Sequence, residues 1–171
     1  MRNWIYEQMA MYAAYHRNGL NQLTHHIGVP MIVFSVMVIA STVRVADFEA
    51  GPLTLAAVLM GVLLLYYVLS APLVGVIAAF MYGILLFVAE VVSLMESPTA
   101  LQSSIGLFVL GWIIQFTGHI FEKRKPALFD NLLQILIAPA FLIAELLFAL
   151  KLEQGLKTEI VERSKKYLPQ E

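Results

Sequence analysis

The sequence has no cysteine and few charged residues. Without cysteine the chain can form no disulfide, can supply no thiolate ligand to an iron–sulfur cluster or a haem, and has no thiol nucleophile. Charged residues make up 13% of its 171 residues and hydrophobic residues 60%, whereas an average soluble domain has roughly 25% charged residues. A globule of about 150 residues buries only about 70% of its unfolded surface, which is too little to hide so many apolar side chains. The composition therefore predicts a membrane protein in contact with the lipid bilayer.

The chain also lacks an excess of positive charge. Its 11 Lys and Arg residues are balanced by 12 Asp and Glu residues, for a net charge of -1, so no basic field attracts nucleic acid. A glycine-rich phosphate loop, a dinucleotide fingerprint and a G-x-S-x-G serine motif are likewise missing from the sequence. Nucleic-acid binding, nucleotide-dependent enzymes and serine hydrolases of that type are not predicted.

Long apolar runs occupy most of the chain and predict an all-α, polytopic membrane helical bundle of four to five transmembrane helices. The second run is too long for one crossing and is interrupted at Ser70-Ala71-Pro72, which indicates two helices joined by a tight turn. Pro30 is expected near the start of the first helix, where a missing N–H costs least. The apolar runs are 28–43, 53–94, 101–121 and 128–150.

The distribution of Lys and Arg bears on the last of these runs, because cytoplasmic loops collect both residue types. Five straight crossings divide the 11 basic residues into five and six, whereas a bend at Pro139 that returns the chain divides them into ten and one. We therefore expect a broken or re-entrant last helix with both termini in the cytoplasm. A full fifth crossing remains the alternative.

The two ends of the chain flank this bundle within one integral membrane domain, 1–171. Trp4, Ile5, Met9 and Tyr12 recur at helical spacing and predict an amphipathic helix at the membrane interface, so that 1–27 combines an interfacial helix with a candidate site segment. The bundle follows as 28–150, and 151–171 is a cytoplasmic tail with a solvated or surface-lying helix.

All four histidines lie at predicted membrane boundaries. An even number of crossings, four, separates His119 from the other histidines, so His16, His25 and His119 return to the same membrane face. Imidazole nitrogen suits iron, zinc and copper, and two or three histidines with a carboxylate or water form a typical non-haem iron site. His26 points about 100° away from His25 on a helix, and we assign it to structure. The pattern predicts a metal site and leaves the metal open.

Polar residues next to these histidines are candidates for supporting roles. Asn21 and Gln115 each precede a histidine by four residues and so share a helix face with it, and Tyr12 precedes His16 by the same spacing. Glu122 follows His119 by three residues and is a candidate fourth ligand, as is Glu145 within the last apolar run. Lys123, Arg124 and Lys125 are most simply a membrane anchor, with attraction of a carboxylate as the alternative.

Two motifs contain the histidines at the predicted boundaries. The first motif is Tyr12-x3-His16-x4-Asn21-x3-His25-x2-Gly28-x-Pro30. The second is Gly111-Trp112-x2-Gln115-Phe116-x-Gly118-His119-x-Phe121-Glu122-Lys123-Arg124-Lys125-Pro126-Ala127-Leu128. Together they resemble a known family, the small multi-span membrane proteins typified by the yeast endoplasmic-reticulum 2-hydroxy fatty acid dioxygenase. The likeness continues through 130–134 to Glu145 and covers nearly the whole chain except the tail and the middle spans.

The resemblance implies an Fe(II)-dependent enzyme of fatty-acid α-oxidation, in which O2 cleaves the C1–C2 bond of a 2-hydroxy long-chain fatty acid and leaves an acid one carbon shorter. Carried over by position, it makes His16, His25 and His119 the catalytic metal ligands, with Glu122 as a further candidate. Asn21, Gln115 and Tyr12 are expected to support these ligands, and Lys123, Arg124 or Lys125 to guide the substrate carboxylate.

Two other classes stay open: a haem-binding membrane electron carrier with two axial histidines, and a non-catalytic membrane scaffold or lipid-interaction protein. The C-terminal residues form no recognisable endoplasmic-reticulum retrieval signal. A bacterial inner membrane is therefore the preferred location, with the site at its cytoplasmic face.

Overall fold

The computed structural model describes residues 1–49, 51–95 and 98–168. Within these residues it contains seven α-helices and one antiparallel β-hairpin, so the predicted all-α membrane fold is confirmed. Two short 3₁₀ turns follow α5 and α7, at Ala127–Phe129 and Lys165–Tyr167. The elements in chain order are α1 (Arg2–Tyr15), α2 (Gly19–Ser41), β1 (Arg44–Phe48), β2 (Gly51–Thr54), α3 (Leu55–Ser70), α4 (Pro72–Ser93), α5 (Pro98–Glu122), α6 (Gln134–Ala149) and α7 (Gln154–Ser164).

Three described helices are long and apolar enough to cross a membrane: α2, α4 and residues Ala100–Glu122 of α5. With 16 residues, α3 spans only about 24 Å of a hydrocarbon core about 30 Å thick. The bent α6–α7 pair counts as a fourth span only if both helices are taken together. The predicted break in the long second run is confirmed, since α3 ends at Ser70 and α4 begins at Pro72. The predicted end of that run at 96–97 lies outside the described residues.

The first membrane helix begins earlier than the hydropathy indicates. The side chain of Asn18 accepts a hydrogen bond from the Leu20 N–H at 2.9 Å and caps α2, which then starts at Gly19. Pro30 therefore lies inside the helix, and its expected place near the start is wrong. The hairpin that follows α2 was not predicted, because its strands are only five and four residues long.

Close packing between α2 and α5 sets the register of the bundle. The two helices run antiparallel, and three glycines lie where they approach most closely. A Cβ on Gly28 would lie 2.8 Å from the carbonyl oxygen of Gly111, and a Cβ on Gly118 would lie 2.0 Å from Thr24 Oγ1. Small residues allow such backbone approach between membrane helices. This contact places the end of α5 beside the start of α2.

The last apolar run does not bend at Pro139, so that prediction is wrong. Pro139 is buried inside α6, which continues to Ala149, and the bend of 120° lies between α6 and α7. Lys151 and Glu153 have positive φ angles of 60° and 52° and turn the chain there. Proline removes only one helical hydrogen bond, and the buried neighbours Ala138 and Ala140 keep the helix packed through it.

The helices α1, α6 and α7 assemble at the end of the bundle that holds the start of α2, here called the histidine end. α6 lies across this end, since the Tyr67 hydroxyl donates to the Leu136 carbonyl, and Phe141 packs on Tyr12. Ile5 and Met9 of α1 and Ile160 of α7 are buried. The predicted helix at the N-terminus and the predicted helix in the tail are thus both present, and their apolar residues pack against the bundle and against each other.

Candidate metal centre

Three histidines meet at the histidine end. His16 directly follows α1, His25 lies in the second turn of α2, and His119 lies in the last turn of α5. Their side chains are buried, with 3%, 3% and 7% of their surface exposed. One potential ligand atom from each lies within 4.8 Å of the others. The structure thus brings together the three histidines that the sequence singles out.

The rings of these histidines stand at steep angles around a common centre. The ring centroids of His16 and His25 are 4.4 Å apart, and each lies 5.0 Å from the centroid of His119. The Nε2 atoms of His16 and His25 are 3.2 Å apart. Nitrogen atoms from three separate elements therefore converge on one small volume.

Backbone carbonyls set the tautomers of two of these rings. His16 Nδ1 donates to the Tyr12 carbonyl at 2.7 Å, and His25 Nδ1 donates to the Asn21 carbonyl at 2.8 Å. Because a carbonyl can only accept, Nδ1 carries the proton and Nε2 holds a lone pair. Burial lowers the pKa of His16 well below 6.5, and the nearby His25 lowers it further, so the His16 ring is neutral at pH 7.

The facing nitrogens fit a metal ion. Two lone pairs at 3.2 Å repel each other unless a cation or a proton lies between them. Two nitrogen ligands at about 2.1 Å from one metal ion, with about 90–110° between the bonds, lie about 3.0–3.4 Å apart. His119 Nδ1 is buried and has no hydrogen-bond partner among the described residues. The donor set is three neutral imidazoles, which suits iron, zinc or copper.

The spacing does not suit haem. Axial ligands on opposite faces of a haem iron need two nitrogens about 4 Å apart with the macrocycle between them. His16 and His25 are closer than that, and His119 occupies the adjacent space. The separation of the two Nε2 atoms is thus shorter than ligation of one haem iron from both faces requires.

The three predicted supporting residues lie next to the histidines, and two of them hold a histidine ring by a backbone carbonyl. Tyr12 stacks on the His16 ring with centroids 3.9 Å apart and holds that ring by its carbonyl. Asn21 likewise holds His25 by its carbonyl, while its side-chain amide donates to Glu122 Oε2 at 3.0 Å. Gln115 lines the cavity beside the histidines.

Glu122 is engaged in capping a helix and does not join the three-histidine group. Its carboxylate accepts from the backbone N–H groups of Arg17 at 3.0 Å and Asn18 at 2.8 Å, and from Asn21 Nδ2. A carboxylate is favourable at the N-terminus of a helix. Glu122 thus links the end of α5 to the start of α2. These contacts do not support its predicted role as a metal ligand.

The basic run after α5 has mostly structural partners. Lys123 ends the helix with a φ of 54° and directs the chain back towards α1. Arg124 donates to the carbonyls of Ala14 and Tyr167 at 2.9 Å each. Lys125 pairs with Asp130 at 2.5 Å. Neither Lys123 nor Arg124 forms an ion pair among the described residues, but Arg124 is occupied by two carbonyls, so a role in guiding a carboxylate stays a prediction.

His26 lies outside the cluster. It is exposed, and its Nε2 lies 3.8 Å from Glu145 Oε2. Glu145 therefore lies beside His26, and it is not part of the group formed by His16, His25 and His119. The structural assignment of His26 agrees with its position.

A small cavity of about 60 Å³ adjoins the histidines and reveals two polar residues that the sequence reasoning missed. Gln134 lines the cavity and is 2% exposed. Its Nε2 donates at 2.9 Å to Oε1 of Gln8, in α1. The sequence offered one clue to Gln134, which is a polar residue at the edge of an apolar run. It offered no clue to Gln8, because Gln134, the residue that Gln8 contacts, lies 126 positions away in the sequence.

The fold and the site together define a helical membrane protein with a buried candidate metal centre of three histidines. The model of the family described as "2-hydroxy-palmitic acid dioxygenase Mpo1-like" matches residues 3–150. The chain is 38% identical over 157 residues to the 2-hydroxy-palmitic acid dioxygenase MPO1 of Saccharomyces cerevisiae. The aligned region covers 90% of this chain and 85% of the yeast protein. No solved structure matches it. The chain therefore belongs to the Mpo1-like family, and the resemblance inferred from its motifs is confirmed.

Proposed function

We propose that the protein is an Fe(II)-dependent dioxygenase that cleaves the C1–C2 bond of 2-hydroxy long-chain fatty acids. The observation that carries the proposal is the group of three buried histidines with converging ligand nitrogens, in a chain related to a 2-hydroxy-palmitic acid dioxygenase. A scaffold does not need three buried imidazoles with two lone pairs facing each other.

The reaction balances with O2 as the sole oxidant. The C1–C2 bond breaks, C2 becomes the carboxyl carbon of an acid one carbon shorter, and C1 leaves as CO2. The remaining oxygen and hydrogen leave as water, and every electron lost by the substrate goes to O2. The reaction therefore needs no separate reductant.

His16, His25 and His119 would hold the Fe(II) ion. When bound, ferrous iron supplies the redox chemistry of O2, which none of the side chains around the site can supply. The carbonyls of Tyr12 and Asn21 keep the Nε2 atoms of His16 and His25 unprotonated and aimed. Burial of the three rings excludes bulk water, and the apolar helices around them are the surroundings that an acyl chain prefers.

We place the site at the cytoplasmic face of the membrane. Every Lys and Arg except Arg44 belongs to an element assembled at the histidine end or to a segment next to one, which agrees with the enrichment of positive charge on the cytoplasmic side. The bacterial inner membrane remains a prediction from the sequence, and the yeast relative does not add to it.

The test is a single-turnover assay on the full chain purified in detergent and loaded anaerobically with Fe(II). After addition of 2-hydroxypalmitic acid and then air, mass spectrometry should detect the acid shortened by one carbon and an equal amount of CO2. Metal-free protein and protein loaded with Zn(II) are the matched controls, because Zn(II) fits imidazole ligands but has no redox chemistry.

Each outcome discriminates between the classes. Product with iron alone supports the proposal. If iron is demonstrably bound and no shortened acid forms, the proposed substrate is contradicted. Failure to retain any metal contradicts the metal centre and favours the non-catalytic scaffold.

A further inference from the structure

We propose that the cavity beside the three histidines receives the polar head of the 2-hydroxy fatty acid, and that Gln134 Oε1 accepts a hydrogen bond from its 2-hydroxyl group. This inference rests on the proposed function and adds the residue that distinguishes a 2-hydroxy acid from an ordinary fatty acid. Gln134 is then a specificity-determining residue.

Residues with unpaired polar atoms cluster around this cavity. Among the described residues, six buried side-chain nitrogen or oxygen atoms lack a hydrogen-bond partner, and three of them belong to residues that line it: Tyr12, His119 and Gln134. Tyr12 is 4% exposed and Gln134 is 2% exposed. Buried polar groups are nearly always paired, because leaving one unpaired destabilises the fold. Such a concentration indicates a site for a polar ligand.

The surroundings of Gln134 define what its free atom can bind. Gln8 Oε1 accepts from Gln134 Nε2 at 2.9 Å and from Asn131 Nδ2 at 2.7 Å. Because its Nε2 donates to this oxygen, the orientation of the Gln134 amide is set and its Oε1 is left free. A lone amide oxygen accepts from a hydroxyl group and repels a carboxylate. Its partner on a 2-hydroxy acid is therefore the hydroxyl, whereas the Tyr12 hydroxyl can donate to the carboxylate.

The size and lining of the cavity suit the head and not the whole acid. Its volume of about 60 Å³ leaves room for only a few water-sized groups. Ile135 lines the cavity and is 45% exposed on the outer surface, and within the described residues α5 packs on α2 without extensive contact to α6. The acyl chain therefore leaves the head pocket between α5 and α6 and extends into the lipid.

The experiment compares binding of 2-hydroxypalmitic acid and palmitic acid to Fe(II)-loaded protein under argon, where no turnover occurs. The variant is Gln134→Met, which keeps the length of the side chain and removes its hydrogen bonds. Wild type should bind the hydroxy acid more tightly. The variant should lose about five- to tenfold in affinity for the hydroxy acid, as expected for one hydrogen bond, with no loss for palmitic acid. In air, its KM should rise more than its kcat falls.

The matched control is Asn131→Ala, which removes a hydrogen bond to the same Gln8 oxygen from a residue that does not line the cavity. It should keep the wild-type preference. If Gln134→Met does not fold, Gln8→Met tests the same point from outside the cavity, because it frees the Gln134 amide to rotate and should weaken the preference.

The possible failures are distinguishable. An unchanged preference in Gln134→Met overturns this inference and leaves the proposed function intact, as does wild-type protein that shortens the hydroxy acid but binds both acids equally. Wild-type protein that binds neither acid and forms no shortened product contradicts the proposed function itself.

Discussion

At the scale of single residues, two adjacent histidines have different surroundings. The buried His25 faces His16 and His119, whereas His26 is exposed and lies near Glu145. One residue along a helix rotates a side chain by about 100°, and here that rotation separates a candidate ligand from a surface residue. The two histidines therefore make a matched pair for testing the metal centre.

We expect His16→Ala, His25→Ala and His119→Ala each to lower turnover and iron retention by more than about 100-fold, because loss of a mere supporting partner commonly costs about 10–100-fold. His26→Ala should retain both. Iron is measured by elemental analysis of the purified protein, and turnover by the shortened acid. Equal iron content in all four variants would contradict the assignment.

At the scale of elements, the contact between α2 and α5 carries the geometry of the site. Gly118 precedes His119, and a Cβ there would lie 2.0 Å from Thr24 Oγ1 and 2.5 Å from Asn21 Oδ1. Gly106, on the same helix, has open space where its Cβ would be. A side chain at Gly118 would therefore clash with α2, whereas a side chain at Gly106 would not.

Gly118→Ala should force the two helices apart and cost about 1–3 kcal/mol of stability through overpacking. It should also lower iron affinity at least about tenfold, because His119 moves away from His25. Gly106→Ala should leave iron affinity unchanged. Thermal unfolding in detergent and an iron-binding titration measure the two effects, and similar results for both variants would show that the glycine contact does not position the histidines.

At the scale of the whole molecule, the two ends of the chain are tied together beside the site. Arg124 bridges the carbonyls of Ala14 and Tyr167 and lies 3.4 Å from the centroid of the Tyr15 ring. Glu7, in α1, pairs with Lys166 at 2.7 Å. Because His16 directly follows α1, these contacts support the position of a candidate ligand.

The Glu7 contacts predict a dependence of stability on pH. Burial raises the pKa of Glu7, but the hydrogen bonds from Lys166 and Tyr167 outweigh it, so its pKa lies below the ordinary 4.5. A lowered pKa in the fold means that Glu7 contributes its full stability above pH 4.5 and loses it as the pH falls through the folded-state value. The contribution is below about 1 kcal/mol, because the pair is near the surface.

Thermal unfolding between pH 6 and about pH 3 measures this effect. Glu7→Gln should unfold at a lower temperature than wild type at pH 6, and the difference should shrink in acid. Glu162→Gln is the control, since the Glu162 side chain is 71% exposed and its ion pair among the described residues is with Lys165, three positions along the same segment. A difference in unfolding temperature between Glu7→Gln and wild type that stays constant from pH 6 to about pH 3 would contradict the prediction.

Much of the fold and the three central histidines follow from the sequence by itself. Hydropathy is a local property, so the apolar runs and the break at Ser70-Ala71-Pro72 identify the helices. Counting the crossings places His119 at the same membrane face as His16 and His25 without any knowledge of packing. The motifs of the two histidine segments are likewise local, which is why they identify the family.

Only the tertiary structure decided how the remaining side chains are used. Glu122 caps α2 through contacts to residues more than 100 positions away, and Gln134 keeps a free oxygen because Gln8 takes its amide. The chain turns after α6 and not at Pro139, because buried neighbours hold that helix together. Residues so distant in sequence come into contact only when the helices pack. A local sequence pattern therefore cannot show which polar atoms remain without a hydrogen bond after packing.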